Sequence, residues 1–390
     1  MRVSILGHGI VGKGVWDMLQ GNPLYTVRNV LVKKGEKSAD FMVESFDEIL
    51  KDDSELVIEC MGGIDPAFEF TYKCLEAGKS LITSNKALVA AHGTDLMKKA
   101  AEKNLAFLFS AACGGAIPIL QNLNLARKTD SILRAGGILN GTTNFILDSM
   151  DRKGLSFDEA LSQAKALGYA EADPTADVSG MDTMRKIMLM SMVAYDVLPN
   201  SDYNIEGICD VSAQDFDVVR KMGKTIRLIG ECGLAGSGRL YAYVQPSVCG
   251  KEDLFSGIFS NVNLARYEGK NSGIMSFMGQ GAGRYPTASA VMRDVTSVTE
   301  GQKSMLRDNC QVGFAYNNSK ECEKTYLVRT DRSHLENLKA LLAVDKVVGE
   351  DKDRIYILTK PVTVKAMHDG AAELRRKGAS MFFADMRAEA

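Results

Sequence analysis

The segment from Arg2 to Gly12 constrains the fold of this chain more than any other part of the sequence. It reads as a short apolar strand, a turn with the spacing G-x-G-x-x-G, and the beginning of a helix, KGVWDMLQG. In this context the glycines allow a pyrophosphate to approach the N-terminus of the helix. The alternative is a tight strand-to-helix turn that binds no ligand. The pattern predicts a dinucleotide-binding loop formed by Gly7, Gly9, Ile10, Val11 and Gly12.

Strands and helices alternate through the next hundred residues. The predicted strands ELVIECMGG and KSLITSNKALV are separated by the predicted helix DPAFEFTYKCLEAGK, and a loop through Lys86 and a helix from Thr94 to Asn104 follow. This alternation favours an α/β fold with a doubly wound parallel sheet of the Rossmann type, whose ligands bind beyond the carboxyl ends of the strands. For Lys86, the alternative is a solvated loop lysine. We expect cofactor contacts from the loops after these strands and from the later glycine turn GQGAGRYP, at Gly62, Ser84, Lys86 and Gly283.

Two lysines follow the second predicted strand, VRNVLVKK. An acidic residue about 20 positions beyond the glycine motif selects NAD, because it hydrogen-bonds the 2′-hydroxyl group of the ribose. This chain instead has Lys33 and Lys34, 21 and 22 residues after Gly12. Two cations at this point favour a 2′-phosphate. The sequence therefore predicts NADP as the preferred cofactor, with NAD as the other possibility.

A dense acidic stretch, GYAEADPTADVSGMDTMRK, precedes an apolar segment near the middle of the chain. Turn-forming residues run up to Asp182 and the apolar segment IMLMSMVAYDVL follows Lys186, which predicts an ordered loop and then a buried helix. Asp182 and Lys186 are four residues apart and share one helix face, where a buried lysine requires a carboxylate partner. The alternative is a solvated run of charges with helix caps.

The remaining sequence predicts two further domains. From Ser131 onward, a strand, helices and the alternating segments TIRLIGEC, RLYAYVQPSVCG and VNLARYE predict an α+β domain with an antiparallel sheet. The tail from Lys324 has the order strand, helix, strand, strand, helix, strand. We predict a dinucleotide-binding domain at 1–130, completed by about 279–305, a substrate-binding and oligomerisation domain at 131–300, and a small ferredoxin-like module at 323–390.

Composition argues against several functional classes. The 390 residues include 47 basic and 49 acidic side chains, and the net charge of −2 offers no electrostatic attraction to nucleic acid or an anionic membrane. The eight cysteines include no C-x-x-C pair, so we expect reduced thiols rather than a zinc site or disulfides. Met1 leads directly into the first strand without a signal-peptide pattern, and no apolar run has the length of a membrane span. We expect a cytoplasmic protein.

Several motifs together resemble those of homoserine dehydrogenases and occur in the order found in that family. They are GHGIVGKGV, ITSNKAL, CGGAIPIL, GILNGTTNFIL, GYAEADPTADVSGMDTMRK, EGI and GQGAGRYPTASAVMRD. The resemblance implies NAD(P)H-dependent interconversion of the small molecules L-aspartate 4-semialdehyde and L-homoserine, on the route to threonine and methionine, by a homodimer or homotetramer. It also implies that Lys186, Lys86 and Asp182 are catalytic and that Glu171 and Asp177 bind the substrate.

Two positions depart from the pattern of this family. Family members often carry a glutamate that helps to hold a monovalent cation where this chain has Ser110, and we predict no metal. The tail resembles the regulatory ACT module of many members, but its first turn, TDRSHLENL, lacks the usual glycine. Two other functions remain open on the sequence alone: another Rossmann-type oxidoreductase, or a nucleotide-sensing subunit without turnover.

Overall fold

The computed structural model describes residues 1–199, 203–306 and 312–387. Cys310 and the last three residues of the predicted C-terminal module lie outside these ranges. The chain forms two compact units. Unit 1 contains Met1–Ser131, Met188–Leu198 and Gly279–Gly313, and unit 2 contains Ile132–Ile187, Pro199–Met278 and Phe314–Ala390.

Unit 1 is built on a six-stranded parallel sheet. Its strands are β1 (Arg2–Leu6), β2 (Thr26–Leu31), β3 (Met42–Val43), β4 (Leu56–Glu59), β5 (Ser80–Thr83) and β6 (Phe107–Leu108). They lie in the order β3-β2-β1-β4-β5-β6, and each neighbouring pair is parallel. This order is that of the Rossmann fold, so the predicted doubly wound sheet is confirmed. All four residues of β4 are buried, as expected for a parallel strand that is covered on both faces.

The helices of the first 131 residues connect these strands. They are α1 (Ile10–Leu19), α2 (Phe46–Lys51), α3 (Ala67–Glu76), α4 (Lys86–Glu102) and α5 (Ile119–Ala126). The beginning of α4 corrects the sequence prediction, because Lys86 is the first residue of the helix and not part of a loop. The physical reason is Asn85, whose side-chain oxygen accepts a hydrogen bond from the Leu88 N–H at 3.1 Å and so begins the helix there.

From residue 132 onward the chain contributes further helices and strands. They are β7 (Ile132–Ile138), α6 (Gly141–Lys153), α7 (Phe157–Ala166), α8 (Thr175–Val178), α9 (Met181–Tyr195), β8 (Val197–Pro199), β9 (Asn204–Ile205), α10 (Ala213–Lys221), β10 (Thr225–Leu234), β11 (Leu240–Cys249), β12 (Val262–Gly269), β13 (Gly273–Gln280), α11 (Arg284–Thr299) and β14 (Gly313–Ala315). Of these, α11 belongs to unit 1, where it packs on α1. A Cβ atom on Gly14 would lie only 2.8 Å from the carbonyl oxygen of Arg284, so this glycine permits the close approach of the two helices.

The last part of the chain has the predicted order of a ferredoxin-like module. It contains β15 (Glu323–Lys324), β16 (Tyr326–Asp331), α12 (Leu335–Leu341), β17 (Val344–Glu350), β18 (Arg354–Thr359), β19 (Val362–Thr363), α13 (Val364–Arg376) and β20 (Met381–Met386). The two helices pack on the sheet around a buried apolar cluster that includes Leu338, Met367, Leu374 and Phe383.

A ten-stranded sheet runs through unit 2. Its order is β13-β12-β7-β10-β11-β20-β16-β18-β17, with β9 added beside β11. The pairs β10–β11, β10–β7 and β12–β7 are antiparallel, as the alternating segments predicted. The strands of the C-terminal module continue this sheet, because β20 pairs in parallel with β11 through Ser247 and Asp385. In the parts of the chain that the structure describes, no helix is both long and apolar enough to cross a membrane.

Candidate active site

The predicted cofactor residues of unit 1 meet at the carboxyl edge of its sheet. Because β1, β4 and β5 are parallel neighbours, the loops that follow them emerge side by side. This edge carries the Gly7–Gly12 turn, Gly62 after β4, and Ser84 with Lys86 after β5. Lys33 and Lys34 follow β2, the other neighbour of β1, and are exposed.

The glycine turn has the shape that a pyrophosphate requires. Gly7 has a φ of +99° and packs against the backbone of Cys60, and a Cβ atom on Gly12 would lie 2.1 Å from the carbonyl oxygen of Gly7. By contrast, a Cβ atom on Gly9 would meet no atom within 4 Å, so the space beside the N-terminus of α1 is open. Gly9 is the N-cap and brings no side chain to the first N–H groups of the helix. The residues present therefore fit a dinucleotide pyrophosphate.

Glu59 supports this edge and was missed by the sequence analysis. It is fully buried at the end of β4, and its carboxylate accepts hydrogen bonds from the N–H groups of Met61 at 2.7 Å and Gly62 at 3.3 Å, and from the hydroxyl group of Thr83. Burial raises the pKa of Glu59, and these hydrogen bonds oppose the rise. The carboxylate thus fixes the loop after β4. The available signal was a glutamate at the end of an otherwise apolar strand.

Asn85 links two of the loops. Its side-chain NH₂ donates to the carbonyl oxygen of Gly63 at 2.5 Å while its oxygen caps α4. Its backbone N–H donates to the hydroxyl oxygen of Thr83 at 3.0 Å, which connects it to Glu59. Lys86 is therefore held at the first position of α4, directly after a side chain that is bonded to the β4 loop.

Gly283 is the N-cap of α11 and has a φ of +123°, a conformation that favours glycine. The next residue, Arg284, forms an ion pair with Asp17 of α1 at 2.6 Å. The glycine turn of α11 is thereby held close to the helix that begins at the first glycine motif.

Ser110 and Asp294 form a buried pair in unit 1. Asp294, on α11, accepts hydrogen bonds from the Ser110 N–H at 2.8 Å and from its hydroxyl group at 2.5 Å. Burial raises the pKa of Asp294 to about 6, against the effect of these hydrogen bonds and of Arg293. Within the described ranges, no group of three or more His, Cys, Asp or Glu side chains has the arrangement of a metal site.

The acidic stretch of unit 2 contains a buried ion pair. The Nζ atom of Lys186 lies 2.7 Å from Oδ2 of Asp182, one turn earlier on α9, and donates a hydrogen bond to the carbonyl oxygen of Leu139 at 2.5 Å. Both charged side chains are at most 10% exposed. The helix-face pairing expected from the spacing is therefore present, and the alternative of a solvated charge run does not apply to these two residues.

Asn140 joins this ion pair to Asp177. Its Nδ2 atom donates to Oδ1 of Asp177 at 2.7 Å and to Oδ2 of Asp182 at 2.8 Å, while its oxygen accepts from the Thr143 N–H and caps α6. Asn140 was not among the predicted site residues. An asparagine between a buried strand and a helix was a signal for a cap, but not for contact with carboxylates about 40 residues later.

The predicted site residues divide between the two units. Asp177, Asp182 and Lys186 form one hydrogen-bonded group in unit 2, and Lys86 belongs to unit 1. Glu171 is exposed in the loop between α7 and α8, outside that group as far as the described residues show. Its exposed carboxylate is accessible to a cationic group from solvent.

Two family models cover most of the chain. A model described as homoserine dehydrogenase, NAD binding domain, matches residues 7–110, and one described as homoserine dehydrogenase matches residues 118–296. The chain belongs to the homoserine dehydrogenase family. The resemblance to this family that the sequence motifs indicated is confirmed.

Individual members of the family extend this result. The homoserine dehydrogenase of Bacillus subtilis is 32% identical over 356 residues, covering 86% of this chain and 82% of the relative. That of Corynebacterium glutamicum is 35% identical over 321 residues, covering 77% and 72%. Among solved structures, a homoserine dehydrogenase from Thiobacillus denitrificans superposes with a TM-score of 0.87 at 26% identity, over 100% of this chain and 99% of the other. One from S. aureus gives 0.79 at 28% identity, with the same coverage.

Family membership fixes the general class of reaction. The chain is an NAD(P)-dependent oxidoreductase that acts on a CH–OH group of a small molecule, so the predicted enzyme class is confirmed. This assignment replaces the two alternatives that the sequence left open, namely another Rossmann-type oxidoreductase and a nucleotide-sensing subunit without turnover.

Proposed function

We propose that this homoserine dehydrogenase interconverts L-aspartate 4-semialdehyde and L-homoserine with Lys186 as the residue that transfers the hydroxyl proton. The main support for this role is the position of the buried Lys186 ammonium group, which lies 2.7 Å from the Asp182 carboxylate and donates a hydrogen bond to the Leu139 carbonyl oxygen at 2.5 Å. A cation with two fixed acceptors is well oriented to give a proton to a developing alkoxide, or as the amine to take one from a hydroxyl group. The chemistry that the bound dinucleotide supplies is hydride transfer at the carbonyl carbon.

The other site residues have supporting roles in this proposal. Asp182 orients Lys186, and Asn140 holds the Asp182 carboxylate in place. Lys86 stabilises the negative charge that develops on the substrate oxygen, or shares in the proton transfer. Glu171 and Asp177 accept hydrogen bonds from the ammonium group of the amino-acid substrate, and Asp177 is oriented for this by Asn140.

The first test follows NADPH absorbance with purified protein and aspartate semialdehyde. We expect oxidation of NADPH to depend on the aldehyde, and no turnover would contradict the proposed reaction. Glu171→Gln should mainly raise the KM for homoserine, because it removes the charge from an exposed side chain that is not a member of the Asp182–Lys186 ion pair. An unaltered KM would contradict the role of Glu171.

NADP is the proposed preferred cofactor. We infer that it is held by Gly7, Gly9, Ile10, Val11, Gly12, Gly62, Ser84, Lys86 and Gly283, with Lys33 and Lys34 at the 2′-phosphate. The support is the exposed position of both lysines directly after β2, where the ribose binds in this fold. Replacing both lysines by serine should raise the KM for NADPH by about tenfold and leave the KM for NADH unchanged. A parallel change for the two cofactors would contradict the selection.

We further infer that the protein is a homodimer or homotetramer and that it works in the cytoplasm, in threonine and methionine biosynthesis. The proposed domains are the dinucleotide-binding domain at 1–130, completed by about 279–305, the substrate-binding and oligomerisation domain at 131–300, and the C-terminal module at 323–390. The oligomer is supported by β13, the edge strand of the ten-stranded sheet, which exposes Ile274, Met275 and Met278. An exposed apolar edge strand is otherwise a site of aggregation. Sedimentation velocity should give at least twice the mass of one chain, and a monomer at micromolar concentration would contradict the inference.

A further inference from the structure

Arg375 connects the C-terminal module to an earlier part of unit 2. It lies in the last turn of α13, and its guanidinium group donates two hydrogen bonds to Glu206, from Nη1 to Oε2 at 3.0 Å and from Nη2 to Oε1 at 2.5 Å. Nη2 also donates to Oδ2 of Asp210 at 2.8 Å. A paired, two-point contact fixes both partners in one orientation, which a single ion pair does not.

Glu206 depends on this contact. Its side chain is only 11% exposed, and burial raises its pKa while the hydrogen bonds from Arg375 lower it. Glu206 belongs to the EGI motif, and its own N–H donates to the carbonyl oxygen of Val244 on β11 at 2.8 Å. Without Arg375, this carboxylate would lose its main cationic partner and the segment after it would lose one of its anchors.

The segment after Glu206 is pressed against the short helix α8. A Cβ atom on Gly207 would lie 2.2 Å from the carbonyl oxygen of Val178, and the Ile208 N–H donates to the same oxygen at 2.9 Å. Val178 is the last residue of α8 and follows Asp177 directly. A shift of the backbone at Gly207 therefore has to displace the helix that carries Asp177.

The geometry points to Arg375 as a positioning residue for substrate binding. We propose that Arg375 fixes Glu206, that Glu206 fixes the backbone of Gly207 and Ile208 against Val178, and that this contact sets the position of the Asp177 carboxylate for the substrate ammonium group. The inference rests on the proposed role of Asp177. It assigns to the C-terminal module a part in the basal affinity for substrate, without any effector.

The test compares Arg375→Ala with Arg376→Ala. Arg376 is the next residue on α13, 73% exposed and paired with Glu373, so it controls for loss of one positive charge from this helix. Arg375→Ala should raise the KM for homoserine by about fivefold to 100-fold, the usual range of coupling between distinct sites, with kcat and the Kd for NADPH changed by less than about twofold. Arg376→Ala should match the wild type in all three.

Glu206→Gln, which keeps the shape of the side chain, provides a second variant. It should raise the same KM, and combining it with Arg375→Ala should add little to either single change, because both act through one contact. A KM for homoserine that is unchanged in Arg375→Ala, or a double variant whose effects simply multiply, would overturn the inference. A loss of kcat without a change in KM would do so too, since it indicates only a smaller folded fraction. Wild-type protein without turnover would instead refute the proposed function.

Discussion

Replacing Lys186 by methionine tests the proposed proton-transfer residue most directly. Methionine fills a similar volume on this apolar helix face, so the main change is the loss of the charge. The Asp182 carboxylate, only 7% exposed, then keeps Asn140 as a donor but loses the ammonium group at 2.7 Å. Removing one partner of a buried ion pair costs about 3–5 kcal/mol of stability. Loss of general acid–base catalysis lowers turnover by at least about 100-fold.

These two effects must be measured separately. Urea unfolding gives the loss of stability, steady-state rates with homoserine and NADP give kcat, and fluorescence titration gives the Kd for NADPH, which should not change. The double variant Lys186→Met with Asp182→Asn removes both charges, and buried ion pairs replaced in this way often lose little stability. We therefore expect the double variant to regain most of the lost stability and none of the lost turnover.

The decisive comparison is turnover in the double variant. If turnover returns together with stability, Lys186 serves only to balance a buried carboxylate, and its assignment as the proton-transfer residue is wrong. Turnover in Lys186→Met within about tenfold of the wild type would refute it as well, because general acid–base catalysis usually contributes more than this.

Three further changes test unit 1. Gly9→Ala should leave stability unchanged, because the added Cβ atom meets no atom within 4 Å. It should raise the Kd for NADPH at least about tenfold in a calorimetric titration, because the methyl group occupies the space beside α1. An unchanged Kd would place the pyrophosphate elsewhere. Glu59→Gln should lower the free energy of unfolding by about 1–3 kcal/mol, measured with urea, because an amide cannot accept all the hydrogen bonds from Met61, Gly62 and Thr83. Equal stability would show that the carboxylate is not needed. The pKa of Asp294 is raised from 3.8 to about 6, so its contribution to stability is full well below pH 3.8 and is lost as the pH rises through 6. Relative to Asp294→Asn, the wild type should lose about 2 kcal/mol of unfolding free energy between pH 4 and pH 7, and parallel pH profiles would contradict this.

The sequence predicted those features that depend on neighbours along the chain. The glycine turn before α1 was visible because each glycine meets a local requirement: Gly7 has a positive φ, and Gly12 packs against Gly7 itself. The contact of Asp182 with Lys186 was visible because residues four apart meet on any α-helix. Both predictions required only the spacing of residues within one helix or one turn.

Contacts between distant segments were not predictable in this way. Asn140 reaches Asp177 and Asp182 only because the end of β7 lies beside α8 and α9. The incorrect prediction of a loop at Lys86 arises from an ambiguity in the local sequence, since an asparagine can end a strand or begin a helix. The apolar residues after Lys86 fitted either structure, and the hydrogen bond from the Leu88 N–H to the side-chain oxygen of Asn85 begins the helix there.

Ser110 shows how the reading of a motif changes once the fold is known. Many family members have a glutamate at this position, and because this chain has Ser110 instead, the local segment lacks that carboxylate. In the structure a carboxylate is present all the same, because Asp294, 184 residues later on α11, accepts hydrogen bonds from both the N–H and the hydroxyl group of Ser110. A glutamate at position 110 would place a second negative charge beside a fully buried one, which like-charge repulsion disfavours. The small serine and the distant aspartate are therefore physically one unit, and the electrostatics of this segment follow from what α11 brings to it.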